Sequence, residues 1–214
     1  RKNLMTVRVT ACHAHKAAKR DVGLSILPMA HTYELSLGVL YPMYVGATVY
    51  YITKAPTPSV LIKALKSIRP TIMLSVPLII EKMYKSNILP TIQKSRILKW
   101  MHRNIPFLLY MFVGMRLNGT FGGRMKFFGI GGAKLDYNVE KFLKKSGFNY
   151  AIGYGMTECA PLICTAGVKQ TFPGTTGGAA YGIDVKLAAL NPETGEGEIL
   201  VKGGTVAPGY ATGP

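Results

Sequence analysis

Apolar and polar positions change period repeatedly along the chain. Over Ser59–Ile68 the residues Val60, Leu61, Ala64, Leu65 and Ile68 fall on one face at helical spacing, with Pro58 before them and Pro70 after. This predicts an amphipathic helix. Thr71–Val76 is mostly apolar and stops at Pro77, as expected of a buried strand. The alternation recurs on both sides. Leu24–Leu27 is a short apolar run, Tyr33–Tyr44 has helical spacing, Ala47–Ile52 is β-branched and aromatic, and Leu78–Lys85 begins another helix. Lys126–Ile130 reads as a strand. Tyr137–Ser146 reads as a helix with Asp136 as N-cap and Gly147 as C-cap. Asn149–Ile152 reads as a strand entering a glycine-rich turn. Strands alternating with helices imply right-handed βαβ units, hence an α/β fold with a mostly parallel sheet and flanking helices.

The pattern changes near Phe172. After Pro173-Gly174 the chain is glycine-rich and helix-poor, and Asp184–Leu190 and Glu198–Val201 read as strands joined by the turn Asn191-Pro192-Glu193-Thr194-Gly195. The expected organisation is an α/β unit over 1–172 and a small β-rich unit over 173–214.

Composition narrows the classes. Of 214 residues, 48% are hydrophobic and 17% charged, which excludes a disordered or charged-tail protein. The net charge of +16 favours polyanionic partners: nucleotides, nucleic acid or an anionic membrane. There is no aromatic-interleaved strand motif or helix-turn-helix spacing, which argues against a nucleic-acid module. The three cysteines, Cys12, Cys159 and Cys164, make neither a disulfide framework nor a zinc site. They point to a reducing compartment, so a cytoplasmic protein is expected. Val22–Ile52 is apolar enough to raise a membrane-spanning question. Pro28, His31, Glu34 and Pro42 interrupt it, so a buried helix between loops and a strand is the better reading.

No acidic residue lies between Glu81 and Asp136, an interval holding Lys94, Arg96, Lys99, Arg103, Trp100 and the apolar run Ile105–Val113. Two readings stand side by side: peripheral contact with a membrane surface through residues 94–103, or a solvated basic face followed by a core helix.

Candidate chemistry gathers at Gly153-Tyr154-Gly155-Met156-Thr157-Glu158, directly after a strand. Glycines let backbone N–H groups approach an anion. Thr157 can donate to a phosphate oxygen, Glu158 can hold Mg²⁺ beside it, and Tyr154 offers a flat face for a base. A purely structural glycine turn is the competing reading of the same spacing. A second glycine turn, Gly131-Gly132-Ala133, also follows a strand. Open α/β sheets bind ligands at the carboxyl ends of their strands, so both turns can line one crevice.

These residues resemble the AMP-forming acyl-CoA synthetase (adenylate-forming ligase) family, in its long-chain fatty acid branch. Tyr154-Gly155-Met156-Thr157-Glu158 is similar to that family's adenylate-binding motif. Phe121–Phe128 leading to Gly131-Gly132-Ala133 resembles the approach to its adenine loop, and Leu27-Pro28-Met29-Ala30-His31-Thr32-Tyr33-Glu34 resembles a segment of the long-chain branch. Val76-Pro77 followed by Glu81-Lys82, and Gly197–Gly203 with Val206 and Gly209-Tyr210, match in family order. Two positions depart from the pattern: Ile130 stands where Ser is usual, and Gly178-Ala179-Ala180-Tyr181 replaces Gly-Lys-Pro-Leu.

The resemblance implies an internal piece of the large AMP-binding domain, inactive by itself, because the phosphate loop, the ribose-binding Thr-Gly-Asp segment and the catalytic Lys of that family are not in the sequence. It implies an enzyme that uses ATP to turn a fatty acid into acyl-adenylate, releasing pyrophosphate. Coenzyme A then displaces AMP. Thr157 and Glu158 would be the catalytic residues, with Glu158 on Mg²⁺. Gly131, Gly132, Ala133, Gly153, Tyr154, Gly155 and Met156 would bind ATP or AMP. His31 and Ile80 would border the acyl pocket; the competing readings are a hydrogen-bonded structural histidine, which the site reading outweighs, and an ordinary core isoleucine, which stands level with it. An acyl-acyl carrier protein synthetase, a relative that differs in acceptor, remains open, as does a non-enzymatic membrane-surface scaffold.

Overall fold

The structure is a computed structural model that describes residues 2–53 and 56–210. The last four positions of the expected 173–214 unit lie outside the described residues. In chain order, helix α1 (Lys2–Ala14) precedes strand β1 (Val22–Ser25). A π-wound segment, Glu34–Leu40, continues into α2 (Tyr41–Val45), β2 (Thr48–Tyr51), α3 (Pro58–Ile68), β3 (Ile72–Ser75) and α4 (Pro77–Met83). Then come the π turn Tyr84–Ile88, α5 (Leu89–Lys94), α6 (Arg96–Asn104), α7 (Pro106–Thr120), β4 (Phe127–Ile130) and α8 (Tyr137–Lys145). The chain ends in strands β5 (Tyr150–Gly155), β6 (Leu162–Thr165), β7 (Gly178–Ala179), β8 (Ile183–Ala188) and β9 (Glu198–Gly203).

A seven-stranded sheet runs in the order β2-β1-β3-β4-β5-β6-β7, and β8-β9 form a separate antiparallel pair. The first five strands are parallel; β6 and β7 are antiparallel. Strands β1, β3 and β4 are buried along almost their whole length, edge strand β2 is mostly exposed, and side chains alternate between the two faces of the sheet. Met73, Phe128, Ile130 and Tyr150 belong to the core formed with α3, α4, α7 and α8. Leu74, Phe127, Gly129 and Ala151 border a narrow cavity beneath α1 and the Glu34–Val45 segment. Most expected elements appear, with shifted ends. Asp136 caps α8 as expected, accepting from the N–H groups of Asn138 (2.9 Å) and Val139 (3.4 Å). Gly147 follows in a left-handed conformation, φ 67°.

Three features depart from the sequence reading. Helix α1 was not expected, because its inward stripe is Val7, Thr10 and Ala11, too small and too polar to stand out as an apolar face. Strand β1 lies earlier than the Leu24–Leu27 run, since Val22 pairs with Thr48 on β2 and its N–H donates to the Thr71 hydroxyl at 2.9 Å. The stretch expected to turn after Ile152 instead continues as strand to Gly155 and pairs with β6. A Cβ at Gly155 would overlap the Pro161 carbonyl oxygen, so glycine here serves close strand approach rather than a turn.

Candidate active site

The carboxyl ends of β4 and β5 flank a cleft of about 560 Å³. Gly132 and Ala133, just after β4, form one wall, and Gly153, Tyr154 and Gly155 on β5 form another. Gly132 has φ 86°, which lets the chain turn sharply as it leaves the strand. Gly131 is buried and does not line the cleft, and its N–H donates to the Ser75 carbonyl at 3.2 Å. Tyr154 stands opposite Cys164 of β6 and is 37% exposed, so its ring is available at the cleft.

Met156, Thr157 and Glu158 lie past the strand end and do not line this cleft. Met156 and Thr157 are exposed, and Thr157–Cys159 forms a single 3-10 turn. The Tyr210 hydroxyl donates to Glu158 Oε1 at 2.7 Å, and the Ala207 N–H donates to the Glu158 carbonyl at 2.7 Å. The Tyr210 bond leads the interactions that hold the Glu158 carboxyl below its usual range, so it is anionic near neutrality. Among the described residues no group of three or more His, Cys, Asp or Glu side chains comes together as a metal cage. One anionic carboxylate is nevertheless the kind of donor Mg²⁺ uses when phosphate oxygens and water complete its shell.

Several cleft residues carried no sequence signal. Thr175 and Thr176 line it, although they follow the composition change at Phe172. The device that returns them is buried Glu140 on α8, whose Oε2 accepts from the Gly174 N–H at 2.9 Å. Lys134 adds an exposed cation. Only its place right after Gly132-Ala133 hinted at a role.

His31 is exposed on the loop after β1, its Nδ1 accepting from the Tyr33 N–H at 3.1 Å, and it lines neither cavity. Ile80 is fully buried in the core on the α7 and α8 side and lines neither cavity. The Tyr33 ring instead lies against Gly129 and Gly131. With Leu37 and Tyr41 it closes the narrow apolar cavity, of about 50 Å³, on the other face of the sheet. That cavity shares Ile152 and Gly153 with the cleft.

Residues 2–211 match the family profile described as AMP-binding enzyme, which covers nearly all of the sequence. The chain belongs to the AMP-binding enzyme family. Among its relatives, long-chain-fatty-acid–CoA ligase 4 of Saccharomyces cerevisiae is 28% identical over 210 residues, covering 89% of this chain and 30% of the ligase. The palmitoyl-CoA ligase of Gibberella moniliformis is 30% identical over 224 residues, covering 89% of this chain and 32% of that enzyme. The chain thus spans about a third of the length of the curated relatives it matches. A benzoate CoA ligase from Burkholderia xenovorans LB400 has the same fold, with TM-score 0.73 and 22% identity over 99% of this chain and 39% of that structure. In this family member, the Gly132-Ala133 turn and the Gly153–Gly155 strand end, both singled out by sequence, meet at one cleft. The Thr157-Glu158 pair lies past the end of β5, outside the cleft lining, and Ala207 and Tyr210 hold Glu158 there.

Proposed function

We propose that this chain forms the adenylate-binding part of an ATP-dependent, AMP-forming ligase that converts a long-chain fatty acid to its coenzyme A thioester. The observation that carries the reading is the cleft at the carboxyl ends of β4 and β5, which joins Gly132-Ala133 to Gly153-Tyr154-Gly155. In this reading the Tyr154 ring stacks on adenine, and the backbone of Gly132 and Ala133 faces the base edge, with Gly131 tied to Ser75 behind them. Met156 leads the chain from the strand to Thr157, whose exposed hydroxyl donates to the α-phosphate. Glu158 would hold Mg²⁺, which supplies positive charge against the charge that develops when the carboxylate attacks. The substrate carboxylate is itself the nucleophile, so the protein's share is positioning and charge neutralisation. His31 would approach the acyl carboxylate from the β1 loop. The narrow cavity under Tyr33 is the proposed seat of the acyl chain. At about 50 Å³ it takes only a few carbons, so a long chain requires Tyr33 to swing aside. Long-chain substrates and coenzyme A are proposed because the relatives named above act on them. Peripheral contact of residues 94–103 with an anionic lipid surface belongs to the same proposal.

The test is ATP–pyrophosphate exchange driven by a fatty acid in the intact protein. Glu158→Gln should lower the rate by about 100-fold or more, as loss of such an electrostatic stabiliser does, with an unchanged far-ultraviolet circular dichroism spectrum. A folded Glu158→Gln variant within about twofold of wild type removes Glu158 from the chemistry, since that difference is well under 1 kcal/mol.

A further inference from the structure

Helix α7 is apolar on two sides. Its inner stripe, Leu109, Val113 and Leu117, is buried in the core. Its outer residues are not covered: Phe107 is 76% exposed and Met115 60%, with Leu108, Met111 and Phe112 exposed between them. A helix apolar all round ordinarily has both faces covered, and exposed apolar patches mark interaction sites. Beside this stripe runs a groove of about 530 Å³ between α3, the Tyr84–Ile88 turn and α7. Ile62, Met83 and Ile88 form its far wall, and Lys66 and Arg116 add positive charge. The preceding helix, α6, also exposes apolar side chains, Ile97 at 71% and Trp100 at 58%, among Arg96, Lys99 and Arg103.

The charge of this region says what covers it. Lys94, Arg96, Lys99, Arg103 and Arg116 make no salt bridge among the described residues. No carboxylate occurs in the sequence between Glu81 and Asp136. The Arg116 guanidinium sits 5.6 Å from the centre of the exposed Phe112 ring, a cation held beside an apolar surface. No described helix is long and apolar enough to cross a membrane.

We infer that the outer stripe of α7, with the basic residues of α6, is a docking surface for a bilayer rich in anionic lipid. The aromatic and methionine side chains enter the acyl boundary while the lysines and arginines meet the headgroups. The inference rests on the proposed function for its purpose, because long-chain carboxylates partition into bilayers. It extends the basic interval 94–103 to an apolar partner surface on α7, where the sequence left a membrane face and a core helix both open.

The experiment measures cosedimentation of the intact protein with phosphatidylcholine vesicles and with vesicles that also contain phosphatidylserine, at about 0.1 M and about 1 M salt. The expected result is preference for the anionic vesicles, weakened by salt. Lys94→Gln/Arg96→Gln/Lys99→Gln/Arg103→Gln should weaken that binding on the order of 100-fold or more. Phe107→Ser/Met111→Ser/Met115→Ser should weaken it while leaving the residual binding salt-sensitive. Should the triple variant fail to fold, Phe107→Ser alone gives the same readout at a largely exposed position. Equal binding to both lipids overturns the inference, as does wild-type binding by the quadruple variant or by the apolar variant. Absence of binding also overturns it and assigns the face to another part of the polypeptide or to a protein partner. ATP–pyrophosphate exchange without lipid should stay at the wild-type rate in these variants. If wild type itself shows no exchange, the proposed function fails and the vesicle result is judged separately.

Discussion

The two edges of the parallel sheet are built on opposite principles. At the amino edge, directly before β1, β3 and β4, stand Asp21, Thr71 and Lys126. Asp21 is 2% exposed, and its Oδ1 accepts from Lys126 Nζ at 2.6 Å and from the Thr71 hydroxyl at 2.9 Å. Its Oδ2 accepts from the Ala18 N–H at 2.9 Å. Burial pushes the Asp21 carboxyl up, yet the hydrogen bonds from Lys126, Ala18 and Thr71 outweigh it and hold it below the usual range. At the carboxyl edge, β4 and β5 run into glycines at an open cleft. One edge spends its polar groups on one another, and the other exposes glycine backbone and a tyrosine ring at a cleft. A strand edge can serve stability or binding, and partner satisfaction tells which.

The sharpest way to break this contrast is at Gly155, where the cleft edge is also a packing edge. Gly155→Val must displace the Pro161 carbonyl. Nucleotide affinity of the intact protein should fall by roughly 100-fold or more, as misplacement by about 1 Å can cause. Stability should fall by about 3 kcal/mol. Calorimetric titration with ATP and thermal melting read the two effects. Retained affinity would mean that the Gly155 corner does not shape the cleft.

Asp21→Ala should do the reverse. Thr71 and Ala18 lose a buried acceptor, at about 2 kcal/mol, and Lys126 is left without its partner. The melting temperature should fall by several degrees, while the exchange rate per folded molecule stays at wild type. Acid reads the same edge without mutation. The folded-state pKa of Asp21 is depressed, so its contribution is full above the unfolded value, about 3.9, and is lost as pH falls through the folded value. His15 adds an earlier phase. Burial is the main cause that lowers its pKa, opposed by Asp21, and its buried Nε2 has no hydrogen-bond partner among the described residues. The neutral form is therefore favoured, and stability should begin to decline as pH drops below about 6.5. Melting curves between pH 8 and pH 3 should show both phases in wild type and only the His15 phase in Asp21→Ala.

The smallest expected effect lies between the two edges. Asp136→Ala removes the α8 cap and should cost about 1 kcal/mol. It also removes the carboxylate that Lys85 meets at 3.2 Å. Because α8 carries Glu140, which holds the Gly174–Thr176 loop, nucleotide affinity should weaken by less than tenfold. A larger loss would place the cap itself in the binding surface.

Much of this was legible before folding. The Asp136 cap, the α3 stripe and the strand before Gly131-Gly132 depend on neighbours within four positions, and the chain shows such spacings directly. The family resemblance also followed from short runs, and the match over residues 2–211 bears it out. Other features were hidden because they depend on residues far apart. Glu140 and Gly174 are 34 positions apart, Glu158 and Tyr210 are 52, and Asp21 and Lys126 are 105. Nothing in the periodicity around Phe172 indicates that Thr175 and Thr176 return to the cleft.

By itself, the sequence determined the alternation of helix and strand, the positive charge of the α5–α7 region and the identity of the residues able to meet a phosphate. These are properties of local spacing and side-chain chemistry. Tertiary structure decided that β5 runs on to Gly155 and that β6 reverses against it. It placed Ile80 in the core while Tyr33 borders the narrow cavity, and it turned one apolar side of α7 outward. Strand pairing and the choice of buried face are settled by which distant surfaces meet, and a period of two or 3.6 residues carries no record of the partner.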